Sequence, residues 1–414
     1  MLKRKKHILA SIVDQGLYSI TTFLVAIMFA RSNPIELFGE FMILMTVVIG
    51  VLLLQHSLVT QPLNIIAGSV KKKNGELFQW HLRIFWNTQV GYIPVYIFTL
   101  FAINLVTSYF FEVVYSTQFM LFFFLFIILR LNLEFFRRLF YTNQKIRQLV
   151  IISVIFNSVT ILGVSWLFYK GSLTLYNVFF VYMMSSGFAS IFALYQIQNK
   201  DIFKVKFKYI YRGLGASWKL GGYLLLSNAV SFFSNRAYLI IVAFATSGTI
   251  IGVYSAFINI IGVFNPLMLT ISNYYLPIAS HVSANNSSDL DKLVRKVNFL
   301  ILPILSIFIF LIYLYSYELL FFLYGDSFAE YHQSLRGFSL ILILIYLSNI
   351  YQLRFQSIRK IKKIFHANLM SLLILSTLGV YMASQYGLNG IIFSQLLAWV
   401  VGIFLLHYYW TKRK

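Results

Sequence analysis

Long apolar runs separated by short polar breaks fill this chain. Boundaries placed at charges, Pro/Gly clusters and Asn-rich turns give apolar segments at about 8–30, 38–65, 83–106, 117–141, 148–169 and 174–197. After a polar interval at 199–216, six more follow at about 217–245, 249–280, 296–316, 333–356, 364–384 and 388–410. Most reach about 20 residues, the helix length that crosses a hydrocarbon core some 30 Å thick. The pattern predicts an all-α integral membrane protein of about 12 transmembrane helices. It divides into an N-terminal six-helix lobe (1–198), a basic cytoplasmic linker (199–216) and a C-terminal six-helix lobe (217–414). The basic N-terminus leads into an apolar run too long for a signal-peptide core, so no removable leader is expected.

Composition excludes the main alternatives. Of the 414 residues, 59% are hydrophobic and 11% charged, against roughly 25% charged in soluble domains. Cysteine is absent, which removes disulfides, iron–sulfur clusters and thiolate zinc sites.

The net charge of +22 is distributed by topology. Basic residues cluster at Lys3–Lys6, Lys71–Lys73 with Arg83, Arg137–Arg147, Lys200–Lys219, Lys292–Lys296, Arg354–Lys363 and Lys412–Lys414. With 12 spans, these clusters put 29 of the 34 basic residues on one side of the membrane. Lys and Arg concentrate on cytoplasmic connections, so both termini are expected to be cytoplasmic. The basic charge therefore needs no nucleic-acid partner.

The two halves resemble each other. Thr160-Ile161-Leu162-Gly163-Val164 matches Ser376-Thr377-Leu378-Gly379-Val380 at an offset of 216. Phe38-Gly39-Glu40-Phe41 falls on Ile251-Gly252-Val253-Tyr254 at an offset of 213. Both of the segments opened by these motifs also end near a proline, Pro62 and Pro277. Equal orientation implies a pseudo-twofold axis along the membrane normal, with substrate held between the halves.

Polar groups inside spans cost about 2.5–3.5 kcal/mol each when charged, and are functional candidates. They are Asp14 and Gln15, Gln55, His56 and Gln61, Arg130, Asn132 and Glu134, and Asn228, Asn235 and Arg236, with Arg31 at the rim of the first span. Arg130 and Glu134 share a helix face four residues apart, which Arg137 and Tyr141 extend toward the cytoplasm. They either line a polar path or neutralise each other to permit insertion. Arg236 has no acidic residue within a helical turn, so it faces a cavity or pairs across helices, for instance with Glu134 or Asp14. His56 can touch substrate or simply pack. Asp14 can carry a coupling proton or sodium ion, or pair with the basic N-terminus. The alternating segment Lys204-Val205-Lys206-Phe207-Lys208-Tyr209 suits a membrane interface. No nucleotide loop, HExxH or dinucleotide fingerprint is present, so no catalytic residue, metal ligand or cofactor is assigned.

Asp14-Gln15-Gly16, Ser19, Phe23, Ala30-Arg31, Pro34, Phe38-Gly39 and Thr60-Gln61-Pro62-Leu63 resemble the opening of Wzx-type O-antigen and polysaccharide flippases. That family belongs to the multidrug/oligosaccharidyl-lipid/polysaccharide exporter (MOP) superfamily. The resemblance implies two six-helix lobes in a V that alternate access. It also implies translocation of an undecaprenyl-pyrophosphate-linked oligosaccharide, an O-antigen or capsule repeat unit, across the bacterial inner membrane. The expected partners are the lipid-linked glycan, membrane lipids, a polysaccharide polymerase and a chain-length regulator. The energy source is expected to be a H+ or Na+ gradient or the membrane potential. Arg pairs bidentately with phosphate oxygens, which suits such cargo. The other readings are a multidrug/cation antiporter of the same superfamily and a membrane polymerase or glycosyltransferase. The first needs interior carboxylates, and the second needs a large external loop or catalytic acids.

Because the chain lacks cysteine, a single Lys72→Cys substitution tests topology cleanly. It is expected to resist an impermeant thiol reagent in intact cells and to react after permeabilisation. Labelling from outside would overturn the assigned orientation.

Overall fold

The computed structural model describes residues 2–63, 75–99, 101, 115–143, 145–197, 200–235, 238–243, 245–271, 275–285, 287–358 and 360–412. Among them every regular element is helical. This is what hydrocarbon imposes, since backbone N–H and C=O groups find no water there and must be satisfied within the segment. Among the described residues, seven segments are long and apolar enough to span a bilayer, and the shorter apolar helices Gly16–Ser32 and Gly248–Gly262 add to them. The last of the seven, Ile361–Thr411, is 51 residues long and bends at Gly387, so it holds two of the expected spans. Where they are described, the twelve expected segments fall mostly on helix, with breaks inside them at Tyr92, Val263–Phe264, Tyr315 and Leu340 and non-helical ends at Thr174, Ile197 and Ala245. Large apolar side chains such as Leu162, Ile191, Phe299 and Phe404 lie exposed on these helices, as lipid-facing residues do. The protein is an integral membrane protein.

The contacts define two compact units, Met1–Ser32 with Leu44–Ala229, and Asn33–Ile43 with Val230–Lys414. The first unit is built from α1 (Leu2–Ser32), the later part of α2 (Ile35–Gln55), α3 (Gly75–Gly91), α4 (Thr117–Thr142), α5 (Ile146–Tyr169), α6 (Leu175–Gln196) and most of α7 (Phe207–Asn235). Within it α6 packs on α4 and α5, and α1 on α5. Helical backbone begins at Phe207, inside the polar interval 199–216, because that stretch carries its own packing face: Gly213, Ser217 and Gly221 recur every four residues and are all buried.

That face meets a break in α2. The helix continues to Leu63 through a π-helical turn at His56–Thr60. Pro62 has no N–H for the carbonyl four residues back, Leu58. The N–H of Gln61 donates to His56 O rather than to Ser57. Two carbonyls are thus without their α-helical donors. The Ser217 hydroxyl donates to Leu58 O. Gly221 lies against Ser57 O, where a Cβ would come within 2.4 Å. Asn228 Nδ2 donates to the Ser57 hydroxyl at 2.9 Å. So α7 is held against the first unit at the point where proline breaks α2. The π-type backbone recurs at Ile271 and Tyr275, 215 positions after His56 and Thr60, and Pro277 stands at the same spacing after Pro62.

The second unit contains α8 (Tyr238–Ala243), α9 (Gly248–Gly262), α10 (Asn265–Thr270), α11 (Leu276–Asn285) and α12 (Ser287–Leu314). It continues with α13 (Ser316–Tyr324), α14 (Asp326–Ala329), α15 (His332–Ser339), α16 (Ile341–Ser357), α17 (Ile361–Ile374), a π turn at Leu375–Gly379 and α18 (Val380–Thr411). Here α18 packs on α17 and α16, and α11 on α16 and α12. The early turns of α2 belong to this unit and meet α9 through repeat-matched residues. A Cβ at Gly39 would lie 2.8 Å from Gly248 O and 3.0 Å from Gly252 N, and one at Gly252 would lie 2.2 Å from Ile35 O. Thr249 donates to Glu36 at 2.5 Å. Gly39 with Gly252 and Glu36 with Thr249 are both partners at the offset of 213. Equivalent positions that touch each other are the mark of a local twofold relation, which supports the repeat.

Both close contacts are testable. Gly252→Leu forces apart the α2–α9 backbones and is expected to cost about 1–3 kcal/mol or more, as overpacking does. It should lower the thermal unfolding midpoint in detergent. Ser217→Ala leaves Leu58 O unpaired and is expected to cost about 1–3 kcal/mol, while Ser217→Thr, which keeps the hydroxyl, loses less.

Candidate functional site

The interior polar groups of the first unit form two linked sets. The first is ionic and joins three helices. Asp14 on α1 is buried, and Arg137 Nη2 on α4 reaches its Oδ2 at 2.6 Å. The Ser153 hydroxyl on α5 donates to its other oxygen. Glu134 accepts from Arg137 Nη1 at 2.6 Å and from Arg138 Nε at 3.0 Å. Spacings of three and four residues place these side chains on one helix face, which is why α4 can deliver them together. Arg130 lies one turn back on the same helix. Its guanidinium is 4.7 Å from the ring centroids of both Tyr18 and Phe156, and those two rings stack at 5.5 Å. Arg130 is 4% exposed, and its Nη1 has no hydrogen-bond partner.

The second set consists of neutral amides. Gln55, fully buried at the end of α2, donates to Gln89 Oε1 at 2.9 Å and to Leu131 O at 2.7 Å. Gln89 in turn donates to Asn132 at 2.8 Å. His56 opens the π turn and its Nδ1 sits 3.1 Å from Thr60 Oγ1. Asn228 holds the Ser57 hydroxyl, as described above. The Gln55 amide nitrogen is thus satisfied twice, while its buried Oε1 has no hydrogen-bond partner, an exception to the usual pairing of buried polar groups.

These contacts give the ion pairs that the sequence leaves open. Glu134 pairs with Arg137 and Arg138 rather than with Arg130. The geometry of i,i+4 spacing is the same for Arg130 and Arg138, and the aromatic pair Tyr18–Phe156 takes up the Arg130 guanidinium instead. Asp14 pairs across helices with Arg137. Of the remaining candidates, Arg31 is exposed in the last turn of α1, where a cation suits the helix dipole. Asn235 ends α7, with its side chain outside the described residues, and Arg236 lies outside them altogether. Arg137 lies on the Arg130–Glu134 face that the spacing marks, but the sequence does not name it as the partner of Asp14 or Glu134, and it also reads as part of a cytoplasmic basic cluster. Gln89 and Ser153 are not among the candidates. Ser153 sits in an apolar run with nothing to mark it. Among the described residues no group of three or more His, Asp or Glu side chains is arranged to hold a metal ion.

No family model matches the chain, and no curated protein matches it. Solved structures do. An inward-facing multidrug resistance MATE family transporter of the MOP superfamily aligns over 94% of this chain and 94% of its own, with a TM-score of 0.72 and 13% identity. The lipid II flippase MurJ in an inward closed conformation aligns over 98% of this chain and 87% of its own, with a TM-score of 0.72 and 17% identity. An outward-facing MATE transporter of the MOP superfamily gives a TM-score of 0.64 at 12% identity. The chain therefore shares the fold of these transporters over nearly its whole length.

Arg137 is the keystone of the ionic set. Arg137→Met leaves Asp14 short of its guanidinium, and removing one partner of a buried pair costs about 3–5 kcal/mol. The variant is expected to unfold well below the wild type in detergent, and Arg138→Met, at the more exposed edge of the set, only slightly below it.

Proposed function

We propose that this protein is a flippase that moves an undecaprenyl-pyrophosphate-linked oligosaccharide, an O-antigen or capsule repeat unit, between leaflets of the bacterial inner membrane by alternating access. One observation carries this reading over cation export. Both interior carboxylates of the first unit, Asp14 and Glu134, are already occupied by guanidinium groups. With Arg130 beside them, three guanidiniums face two carboxylates, and the set carries an excess of positive charge. An exporter of cations needs carboxylates open to its cargo. An exporter of a pyrophosphate gains from a positive interior, because Coulomb attraction acts strongly at low dielectric.

The fold shared with a lipid II flippase supports the class of cargo, and the N-terminal motif residues support the polysaccharide branch. Carrying sugars and a pyrophosphate through hydrocarbon would strip many hydrogen bonds, each worth several kcal/mol if unreplaced. The amides Gln55, Gln89, Asn132 and Asn228, with His56, are groups of the kind that would replace them. Arg236 and Asn235 belong to the same proposal on sequence grounds, and Arg31 on the strength of the family's Ala-Arg pair. The proposal includes both termini in the cytoplasm, as the positive-inside rule suggests, and a polysaccharide polymerase and chain-length regulator are the partners this role calls for.

The test is made in cells whose surface polysaccharide depends on this protein. Arg236→Ala and Arg130→Ala cells are expected to accumulate lipid-linked precursor on the cytoplasmic leaflet and to lose most surface polymer. Normal polymer in both, at wild-type protein levels, would overturn the site assignment. Uptake of a cationic dye by vesicles containing the purified protein would instead establish the antiporter.

A further inference from the structure

The segment from Lys200 to Lys219 is not a slack linker. Its 3-10 turn, Lys200–Phe203, packs on α3. There Phe203 lies 4.8 Å from Trp86 and 5.9 Å from Phe136. Asn87 then clamps the backbone from both directions, donating to Lys204 O at 3.0 Å and accepting from Lys206 N at 2.7 Å. Arg83 sits over the Tyr209 ring at 5.9 Å. The chain that follows is α7, whose helical period sorts its first turns into three faces. Gly213, Ser217 and Gly221 pack inward. Phe207, Tyr211 and Trp218 share a second face and are 82%, 76% and 62% exposed. Lys208, Arg212 and Lys219 share a third and are also exposed.

Charge on this surface is strongly one-sided. Asp201 pairs with Lys204 at 2.7 Å, and that contact holds its carboxyl below the usual carboxylate range. Asp201 is the one acidic residue in the sequence from Lys200 to Lys219, against the exposed Lys200, Lys204, Lys206, Lys208, Arg212 and Lys219. Exposed aromatics beside exposed basic residues are unfavourable in water and well placed at a headgroup layer. Their rings sit at the acyl boundary there, and the cations meet lipid phosphates. The long stem of Lys219, nearest the apolar part of α7, lets its ammonium reach back to that layer.

We propose that this rigid aromatic–basic surface is a docking site for anionic phospholipid headgroups of the adjoining leaflet. It selects them over zwitterionic lipids and seats the start of α7 at a fixed depth. The site is separate from the buried ionic set and does not depend on what the protein transports.

The experiment uses the full-length protein in nanodiscs whose acyl chains carry bromine, which quenches nearby tryptophan. Brominated phosphatidylglycerol is compared with brominated phosphatidylcholine, each as a minor component. The Trp218 signal is isolated as the difference between wild type and Trp218→Phe, since the chain has six tryptophans. Quenching of that signal is expected to be about threefold to tenfold more efficient with the anionic lipid. It should fall to parity in high salt and in the Lys206→Gln/Lys208→Gln/Arg212→Gln variant, whose substitutions are all at exposed positions. Equal quenching by the two lipids in the wild type would overturn the proposal. So would an anionic preference that survives in the triple variant, or a Trp218 signal that neither lipid quenches, which would mean that another protein surface covers it.

Discussion

A backbone carbonyl without a donor cannot be left in hydrocarbon, and much of this molecule follows from how that rule is met. Where α2 is broken by Pro62, the π turn shifts one hydrogen bond and strands two carbonyls. Water is not available to fill them. A serine hydroxyl on α7 donates to Leu58 O, and Gly221 on α7 packs against Ser57 O without supplying a donor. The cost of a proline inside a span is thus offset by a contact between helices far apart in sequence. This is why most of α7, although it follows the sixth apolar segment, packs with the first unit.

The same reasoning extends to side chains. Asp14 and Glu134 are carboxylates where hydration is poor, and each is met by a guanidinium and a second hydrogen bond. Arg130 finds two aromatic faces in place of a carboxylate. The result is a set that is locally neutralised yet carries one guanidinium more than it has carboxylates. On the function proposed above, a modest surplus attracts an anionic cargo at a lower insertion cost than a row of unpaired arginines.

Internal duplication gives these features a second setting. The π backbone and its following proline recur 215 positions later, and repeat-matched glycines meet face to face where α2 approaches α9. Close approach of two helices there needs the absence of side chains on both, so one local motif, aromatic or aliphatic followed by glycine, serves in each half. At the 213 offset Glu36 and Thr249 are also joined, though their chemistry differs. Symmetry of backbone has outlived symmetry of side chains.

Much was legible in the sequence alone. Apolar run length determined that the chain is helical and crosses the membrane repeatedly, because the bilayer sets both span length and hydrogen-bonding mode. The alternation of basic clusters gave an expected orientation, and Pro62, Pro277, Gly39 and Gly252 marked the special backbone positions. The partners of the buried charges were not legible. Arg130 and Arg138 stand at equal spacing on either side of Glu134; the acid-before-base order favours Arg138, and packing against Tyr18 and Phe156 gives Arg130 another partner. Ser153, Gln89 and Ser217 are ordinary residues in apolar or small-residue surroundings, made important by what lies across from them. Local periodicity specifies which face of a helix is polar. Which other helix that face meets is a long-range choice, and the tertiary structure alone makes it.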